Sequence, residues 1–405
     1  MLKIRDLYKA ILVNFLVVLY MLVCMPLTDY ASGNVQVSTW KNAQSGALSI
    51  SVDENYMSCL SELQSNGFNG TYFYIGVVPP SYMDLPTLYN AGMELGSHTI
   101  NHICGYVAQD ALRYEEIEPN IQSICYYSPE PCKDVISFAW PCGYTTISEQ
   151  AITADYFLSS RGYNINMLEE TTPANFQNLK SFNSHEHPPY PPADLKTVVD
   201  MAEQQGKWAN LVFHSTCNDD GAISYARTKD VWVAPIGTVV KYILQRNRFI
   251  LNTYQENPNS IVFSYSRSAV PSSPVRTFET AFGPEDQITL EVQINDTRSV
   301  SSVTLDGISQ PYTVRTINGN KLVLINTPVG TTTRTITVSY ASAIIPTIAL
   351  NPTSLSFSAD VGTNPATQAI AVSNSGGGTL SWTATADSTA QIGRASCRER
   401  VCGVV

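Results

Sequence analysis

The 405 residues carry 34 acidic against 24 basic side chains, a formal net charge of -10. That balance speaks against nucleic acid, whose binding rests on Lys and Arg neutralising phosphates. A hydrophobic content of 44% with 14% charged residues fits a folded chain, and the length calls for two or three domains.

At the N-terminus, Lys3, Arg5 and Lys9 precede an apolar run from Ala10 to Met25 that Pro26 ends. The run is short for a bilayer span of about 20 residues, and the basic-then-apolar order is that of an export signal over residues 1–31. The protein is therefore expected outside the cell, secreted or at its surface, touching a membrane only through an uncleaved signal. Residues 45–255 alternate short β-type runs (48–52, 71–75, 94–96, 135–140, 210–213) with helical stretches (56–65, 81–91, 111–124, 193–205, 236–246). Such alternation predicts an α/β domain built on a parallel sheet or barrel.

After Pro258 helical periodicity gives way to Thr, Ser and Val. Residues 288–294, 302–305, 321–325 and 335–340 alternate like half-buried antiparallel strands, and Asn318-Gly319 marks a hairpin. This predicts a small β-sandwich over 259–343, then a linker at 344–346. A second β segment over 347–391 offers strands at 355–357, 368–372 and 380–384, with a turn at Asn374-Ser375-Gly376-Gly377-Gly378. It stops well short of a full sandwich of about 100 residues. Residues 392–405 turn Arg-rich mid-domain and resemble translated sequencing-adapter DNA, so this tail is expected not to be native.

Nine cysteines occur. Cys125 and Cys132, flanking a Ser-Pro-Glu-Pro turn, are the best candidate pair, and the absence of any C-x-x-C argues against a cysteine zinc site.

The chemistry-bearing side chains fall just past predicted strand ends: Asp53 and Glu54, His98 and His102, Pro141-Cys142-Gly143, and His214. In parallel α/β folds those ends form the active-site face. His98 and His102 stand at i and i+4, where one turn of helix would give them a common face for one ion. A lone H-x-x-x-H is more often two unconnected polar residues. The acidic doublet and a third strand-end histidine shift the balance to a metal site with three protein ligands and an open position.

These residues carry a resemblance. Over roughly residues 45 to 250 the chain resembles the polysaccharide deacetylase family (NodB-homology domain, carbohydrate esterase family 4). Ser51-Val52-Asp53-Glu54 is similar to its T-F-D-D motif, and His98-Thr99-Ile100-Asn101-His102 to its H-[ST]-x-x-H. Phe138-Ala139-Trp140-Pro141-Cys142-Gly143 resembles R-x-P-[YF]-G, and Leu211-Val212-Phe213-His214 resembles L-x-x-H. Asp230-Val231-Trp232-Val233-Ala234, leading into Tyr242-Ile243-Leu244-Gln245-Arg246, is similar to the closing helix region.

The resemblance implies a distorted (β/α) barrel of about seven strands, followed here by small all-β sandwich modules. It implies one divalent metal, zinc with cobalt or nickel as alternatives, held by Glu54, His98 and His102. Asp53 would be the base, the Cys142 N–H the oxyanion donor, and His214 the acid. The substrate would be a polysaccharide such as chitin, peptidoglycan or xylan, losing N-acetyl or O-acetyl groups. Three positions depart from the pattern. Glu54 stands for the second Asp, which leaves open that Asp53 binds the metal instead. Ala139 stands for the Arg that pairs with the base, and Arg161 is the candidate replacement. Cys142 stands for an aromatic.

Trp140, Tyr144 and Trp232 could stack on sugar or simply pack. His185-Glu186-His187 reads as a Pro-rich loop near the substrate cleft more readily than as an auxiliary metal site. Val372-Ser373-Asn374-Ser375-Gly376 and Leu380-Ser381-Trp382 resemble immunoglobulin-like repeats, which would serve as spacers, adhesion units or glycan-binding units. Two other readings stay open: an inactive carbohydrate-binding barrel, and a hydrolase of a non-sugar C–N bond.

Overall fold

The computed structural model describes residues 34–76, 83–184, 194–295, 297–341, 346–385, 395–398 and 401–404. The export-signal expectation and the His185–His187 loop lie outside them. So do Ile344 and Ile345 of the expected linker. No helix among the described residues is long and apolar enough to cross a membrane.

The barrel strands are β2 (Gly46–Val52), β3 (Thr71–Tyr74), β4 (Glu94–Ser97), β5 (Ser137–Ala139), β6 (Ser159–Ile165), β7 (Leu179–Asn183) and β8 (Trp208–Phe213). They pair in parallel in the order β3-β4-β5-β6-β7-β8-β2, and a β2–β3 pairing closes the ring at seven strands. Every residue of β2 is buried, as a strand with protein on both sides requires. The closure is uneven. β2 meets β3 only through Ser51 and Val52. Its other end, Gly46 to Leu48, instead pairs with β9 (Val231–Val233).

Helices fill the crossovers with ordinary start signals. Asp84 caps Leu85–Asn90, Asp194 caps Leu195–Gln205, and Thr146 with Glu149 forms a capping box on Ile147–Tyr156. The predicted helix at 111–124 becomes a longer run in which Gln109–Ala111 and Glu118–Tyr127 flank a π-helical stretch, Leu112–Ile117. Strands β6 and β7 and the helix Ile147–Tyr156 had no counterpart among the predicted elements.

Two antiparallel sheets follow. One is β1 (Val35–Val37), β12 (Gln287–Gln293), β16 (Asn320–Pro328) and β15 (Thr313–Ile317). The other is β10 (Phe249–Asn257), β11 (Ser260–Arg267), β17 (Arg334–Tyr340), β13 (Val300–Leu305) and β14 (Ile308–Ser309). Ile288, Leu290, Val292 and Ile325 from the first and Ile261, Phe263, Ile336 and Val338 from the second are fully buried. Asn318 and Gly319 join β15 to β16 with φ of 50° and 80°, the left-handed pair a two-residue hairpin needs. Residues 249–255, expected to belong to the α/β segment, instead fall in strand β10, which is hydrogen-bonded to β11.

These sheets and the barrel belong to one compact unit. Ile236–Arg246 is its joint. Tyr242 donates to the Ser38 carbonyl at 2.8 Å, Lys241 pairs with Asp286 at 3.1 Å, and the Arg246 guanidinium lies 5.7 Å over Trp40. Arg276 donates to the carbonyls of Val135 and Tyr156, and at 2.6 Å to that of Cys132.

The second unit, Tyr340–Val405, contains the antiparallel pair β18 (Ile348–Asn351) and β19 (Ala371–Asn374). Strands expected at 355–357 and 380–384 are not formed, and the described residues there lie largely in the open. With so few buried apolar groups the segment has little to pack a second sheet against.

Candidate active site

Asp53 follows the last residue of β2 and is 4% exposed. Its Oδ2 accepts from Arg161 Nη2 at 2.5 Å, while Oδ1 is buried with no hydrogen-bond partner among the described residues. Burial alone would push this carboxyl up. The Arg161 guanidinium, helped by His98 and His214, outweighs that and holds it below the ordinary aspartate value. Arg161 reaches it from β6, where it pairs in register with Ala139 of β5. Its side chain is 1% exposed and passes 5.3 Å over the Phe73 ring. The charge missing at Ala139 is thus supplied from the neighbouring strand.

Glu54 and Asn55 take left-handed φ values of 63° and 62°, which turn the chain sharply after β2. Asn55 fixes this turn by a two-way clasp on Ile75, accepting from its N–H and donating to its carbonyl at 2.7 Å each. Glu54 Oε1 then lies 3.6 Å from His102 Nε2 and 3.8 Å from His214 Nε2.

His98 and His102 do not share a helical turn. The chain leaves β4 as a loop with left-handed residues at Thr99 and His102, and the two rings meet with centroids 4.8 Å apart. The loop is held from below. Glu116 accepts the N–H groups of Ile100 and Asn101 at 3.1 and 3.0 Å, and Asn120 donates to the Thr99 carbonyl at 2.6 Å. A buried carboxylate taking those N–H groups competes directly with the helix the spacing predicts. His98 Nδ1 lies 2.8 Å from the Ala139 carbonyl. A carbonyl only accepts, so Nδ1 carries the proton and Nε2 keeps its lone pair. Burial lowers the His98 pKa to about 4, so the ring is neutral at pH 7.

Pro141–Gly143 forms a short turn closed by Gly143 N to Trp140 O (2.8 Å) and Tyr144 N to Pro141 O (3.3 Å). The Cys142 N–H is not used in closing it, and Cys142 sits at φ 53°. Disulfides join Cys104 to Cys142 and Cys59 to Cys217, and Cys125 to Cys132 as the spacing suggested. Ligand atoms of His102, Cys104 and Cys142 lie within 4.8 Å of one another, but the two sulfurs are bonded together and offer no thiolate. His214 Nε2 stands 4.0 Å from Asp53 Oδ2, and the His214 carbonyl accepts from Ser58.

A cleft of about 230 Å³ results, lined by Asp53, Glu54, His98, His102, Trp140, Cys142 and His214. Tyr56, Gly143 and Ser215 complete it, and neither Tyr56 nor Ser215 was singled out in the sequence. Arg161 reaches the cleft only through Asp53. Trp140 is part of the lining but buried, and its indole N–H is tied to the Gln177 carbonyl at 3.0 Å. Tyr144 is exposed and outside the lining. Trp232 must be corrected. It pairs with Ala47, six residues before Asp53 and so about 20 Å away along β2. Its ring packs on Tyr242 at 5.1 Å, in the core.

The donor set suits a divalent cation. Two ligands held at about 2.1 Å in a tetrahedral arrangement are about 3.4 Å apart, close to the 3.6 Å between His102 Nε2 and Glu54 Oε1. His98 adds a neutral imidazole whose tautomer is set by a backbone carbonyl, the usual support for a metal-bound histidine.

No family model matches the sequence. A gellan lyase from Bacillus sp is 22% identical over 331 residues, covering 72% of this chain and 13% of that protein. Solved structures similar in part include a CE4 family pseudoenzyme from Bacillus anthracis (13% identity, TM-score 0.36, 48% of this chain and 65% of that one). A family 4 acetyl xylan esterase from Clostridium thermocellum bound to cobalt is also similar (13% identity, TM-score 0.34, 48% and 89%). So is the catalytic domain of a peptidoglycan N-acetylglucosamine deacetylase from Eubacterium rectale (13%, 0.34, 50% and 94%). The chain thus spans a small part of the gellan lyase and just under two thirds of the pseudoenzyme.

Proposed function

We propose that this protein is an exported, metal-dependent deacetylase that removes acetyl groups from a polysaccharide. The observation that carries the reading is the convergence of Asp53, Glu54, His98, His102 and His214 at the C-terminal mouth of a closed parallel barrel. The motif resemblance supports the same assignment from the sequence side.

Glu54, His98 and His102 would hold the cation. When bound, it would polarise the acetyl carbonyl and make bound water more acidic. Asp53 is the base. Its Oδ2 stays on Arg161, and the unpartnered Oδ1 takes the proton from the attacking water. That assignment favours Glu54 over Asp53 as the ligand, because Asp53 is already engaged by a guanidinium. The water oxygen bonds to the carbonyl carbon, and the developing oxyanion meets the Cys142 N–H. In an N-acetyl sugar the C–N bond then breaks as His214 gives its proton to the amine nitrogen, and in an O-acetyl ester the C–O bond breaks with the proton going to the sugar oxygen. Acetate leaves together with the free amine or hydroxyl of the sugar.

The test is acetate release from acetylated chitin oligomers, peptidoglycan and acetylated xylan by zinc- or cobalt-loaded protein. Activity should vanish with a chelator and return with the metal, and Asp53→Asn should lower kcat by about 10²–10⁴-fold. No acetate from any of the three substrates, with metal bound, would overturn the reading.

A further inference from the structure

On the far side of the barrel the sheet β1–β12–β16–β15 has an outer face with its own concavity, about 570 Å³. That lies within the roughly 300–1,000 Å³ of small-molecule sites, whereas the cleft at about 230 Å³ falls below it. Strand alternation builds its floor. Ile288, Leu290 and Ile325 point into the sandwich, so Gln287, Asn326 and Leu324 turn outward, with Thr313 beside Leu324 in register. The Lys41–Ala43 turn forms one wall and the segment from Gln310 to Thr313 the other.

The polar groups in this groove are already tied in place. Asn326 donates to Asn42 Oδ1 at 2.7 Å and accepts from Thr289 at 2.6 Å. Gln310 donates to the Asn326 carbonyl at 2.9 Å, and Arg315 to the Asn42 carbonyl at 3.1 Å. Tyr312 anchors its hydroxyl on the Val300 carbonyl at 3.3 Å, which fixes the ring. Groups ordered beforehand cost less entropy on binding.

The chemistry of the lining selects the ligand. It contains four amides, one guanidinium, one phenol ring and no carboxylate. A cation would find no counter-charge there, and an apolar partner would find little beyond Leu324, Pro311 and the Tyr312 ring. Planar amides and a guanidinium present paired donors and acceptors to neighbouring hydroxyls, and an aromatic ring takes the C–H face of a pyranose.

We propose that this groove is a second carbohydrate site, binding the sugar residues of a polysaccharide chain at the opposite end of the barrel from the cleft. Asn42 lies just before β2 and Asp53 just after it, so a seven-residue strand of about 23 Å separates the two sites. One stretch of polymer held in the groove leaves the cleft open to another, and tethering raises the local substrate concentration. The proposal takes its ligand class from the polysaccharide reading but does not require the cleft to be active.

Affinity electrophoresis of the intact chain through gels containing glycol chitin, xylan or a uronate-bearing pectate tests it. Retardation is expected in at least one polymer, with a tenfold or greater loss of apparent affinity in both Tyr312→Ala and Arg315→Ala. Binding to pectate alone would assign Arg315 to a carboxylate, and binding to the neutral polymers would assign the amides to hydroxyls. Each variant is compared at an unchanged thermal midpoint. Retardation by none of the polymers, or retardation that survives both substitutions, overturns the proposal. Groove-dependent retardation without acetate release would sink the deacetylase reading and leave this one standing. Acetate release without groove-dependent retardation does the reverse.

Discussion

Asp53 carries its charge to a place water scarcely reaches, and Arg161 answers it on one oxygen only. Breaking such a buried pair from one side leaves an uncompensated charge and costs about 3–5 kcal/mol. Arg161→Ala should therefore destabilise the protein by that order. The double variant with Asp53→Asn should lose clearly less than the sum of the two single changes. Denaturant unfolding of the four proteins measures this. The pair also shows what a linear sequence hides. Ala139 marked where a guanidinium was missing and Arg161 was the candidate to replace it, but only the β5–β6 register sets the two side by side. The histidine motif was legible as chemistry and misread as a helix, because the competing acceptor, Glu116, lies outside the motif. Glu130 gives a prediction free of the cleft. Burial, with Asp134 and Glu94 nearby, pushes its carboxyl up to about 7. A raised acid pKa means the folded state holds the proton more tightly, so stability is greatest below about pH 4 and declines as pH rises towards 7. Glu130→Gln should gain about 1–2 kcal/mol at pH 8, after allowing for solvent screening, and nothing at pH 4, read as thermal midpoints.

At the scale of elements, two of the three disulfides staple the loops that carry the cleft. Cys59–Cys217 joins the loops after β2 and β8, and Cys104–Cys142 those after β4 and β5. Chain-closure entropy favours the wider loop. A separation of 158 residues corresponds to about 5 kcal/mol and one of 7 to about 2. Replacing Cys59 and Cys217 by Ser should thus lower the melting temperature more than replacing Cys125 and Cys132, by differential scanning calorimetry. Only the short-range pair could be suspected from spacing, since distance along the chain says nothing about which loops meet at a barrel mouth. Strands β2, β3 and β8 were legible because they are largely apolar runs, as was the stretch containing β5, whereas the short β4, Glu-Leu-Gly-Ser, offers only Leu95. Strands β6 and β7 were not legible. Their sequences, Ser-Ser-Arg-Gly-Tyr-Asn-Ile and Leu-Lys-Ser-Phe-Asn, spend positions on Arg161 and Asn183, so they read as loop.

For the molecule as a whole, barrel and sandwich share Ile236–Arg246 and the Arg276 anchor, so neither has a complete surface without the other. The unit ending at Ser339 should melt in one transition. A chain stopped after Arg248 would expose Tyr242, Trp40 and the groups around Val135, and it should aggregate or unfold at least 10 °C earlier, since about 1 kcal/mol shifts a domain of this size by only a few degrees. Circular dichroism melts of the two lengths decide it. Strand β1 adds an order of events. Val35–Val37 is among the first described residues to emerge, yet its partner is β12, near the far end of the unit. During synthesis that edge has no β12 to pair with until Gln287–Gln293 follows, and such distant pairings form slowly. A copy halted before that point would offer those three residues to a neighbour's edge, so chains cut short of Gln287 should aggregate.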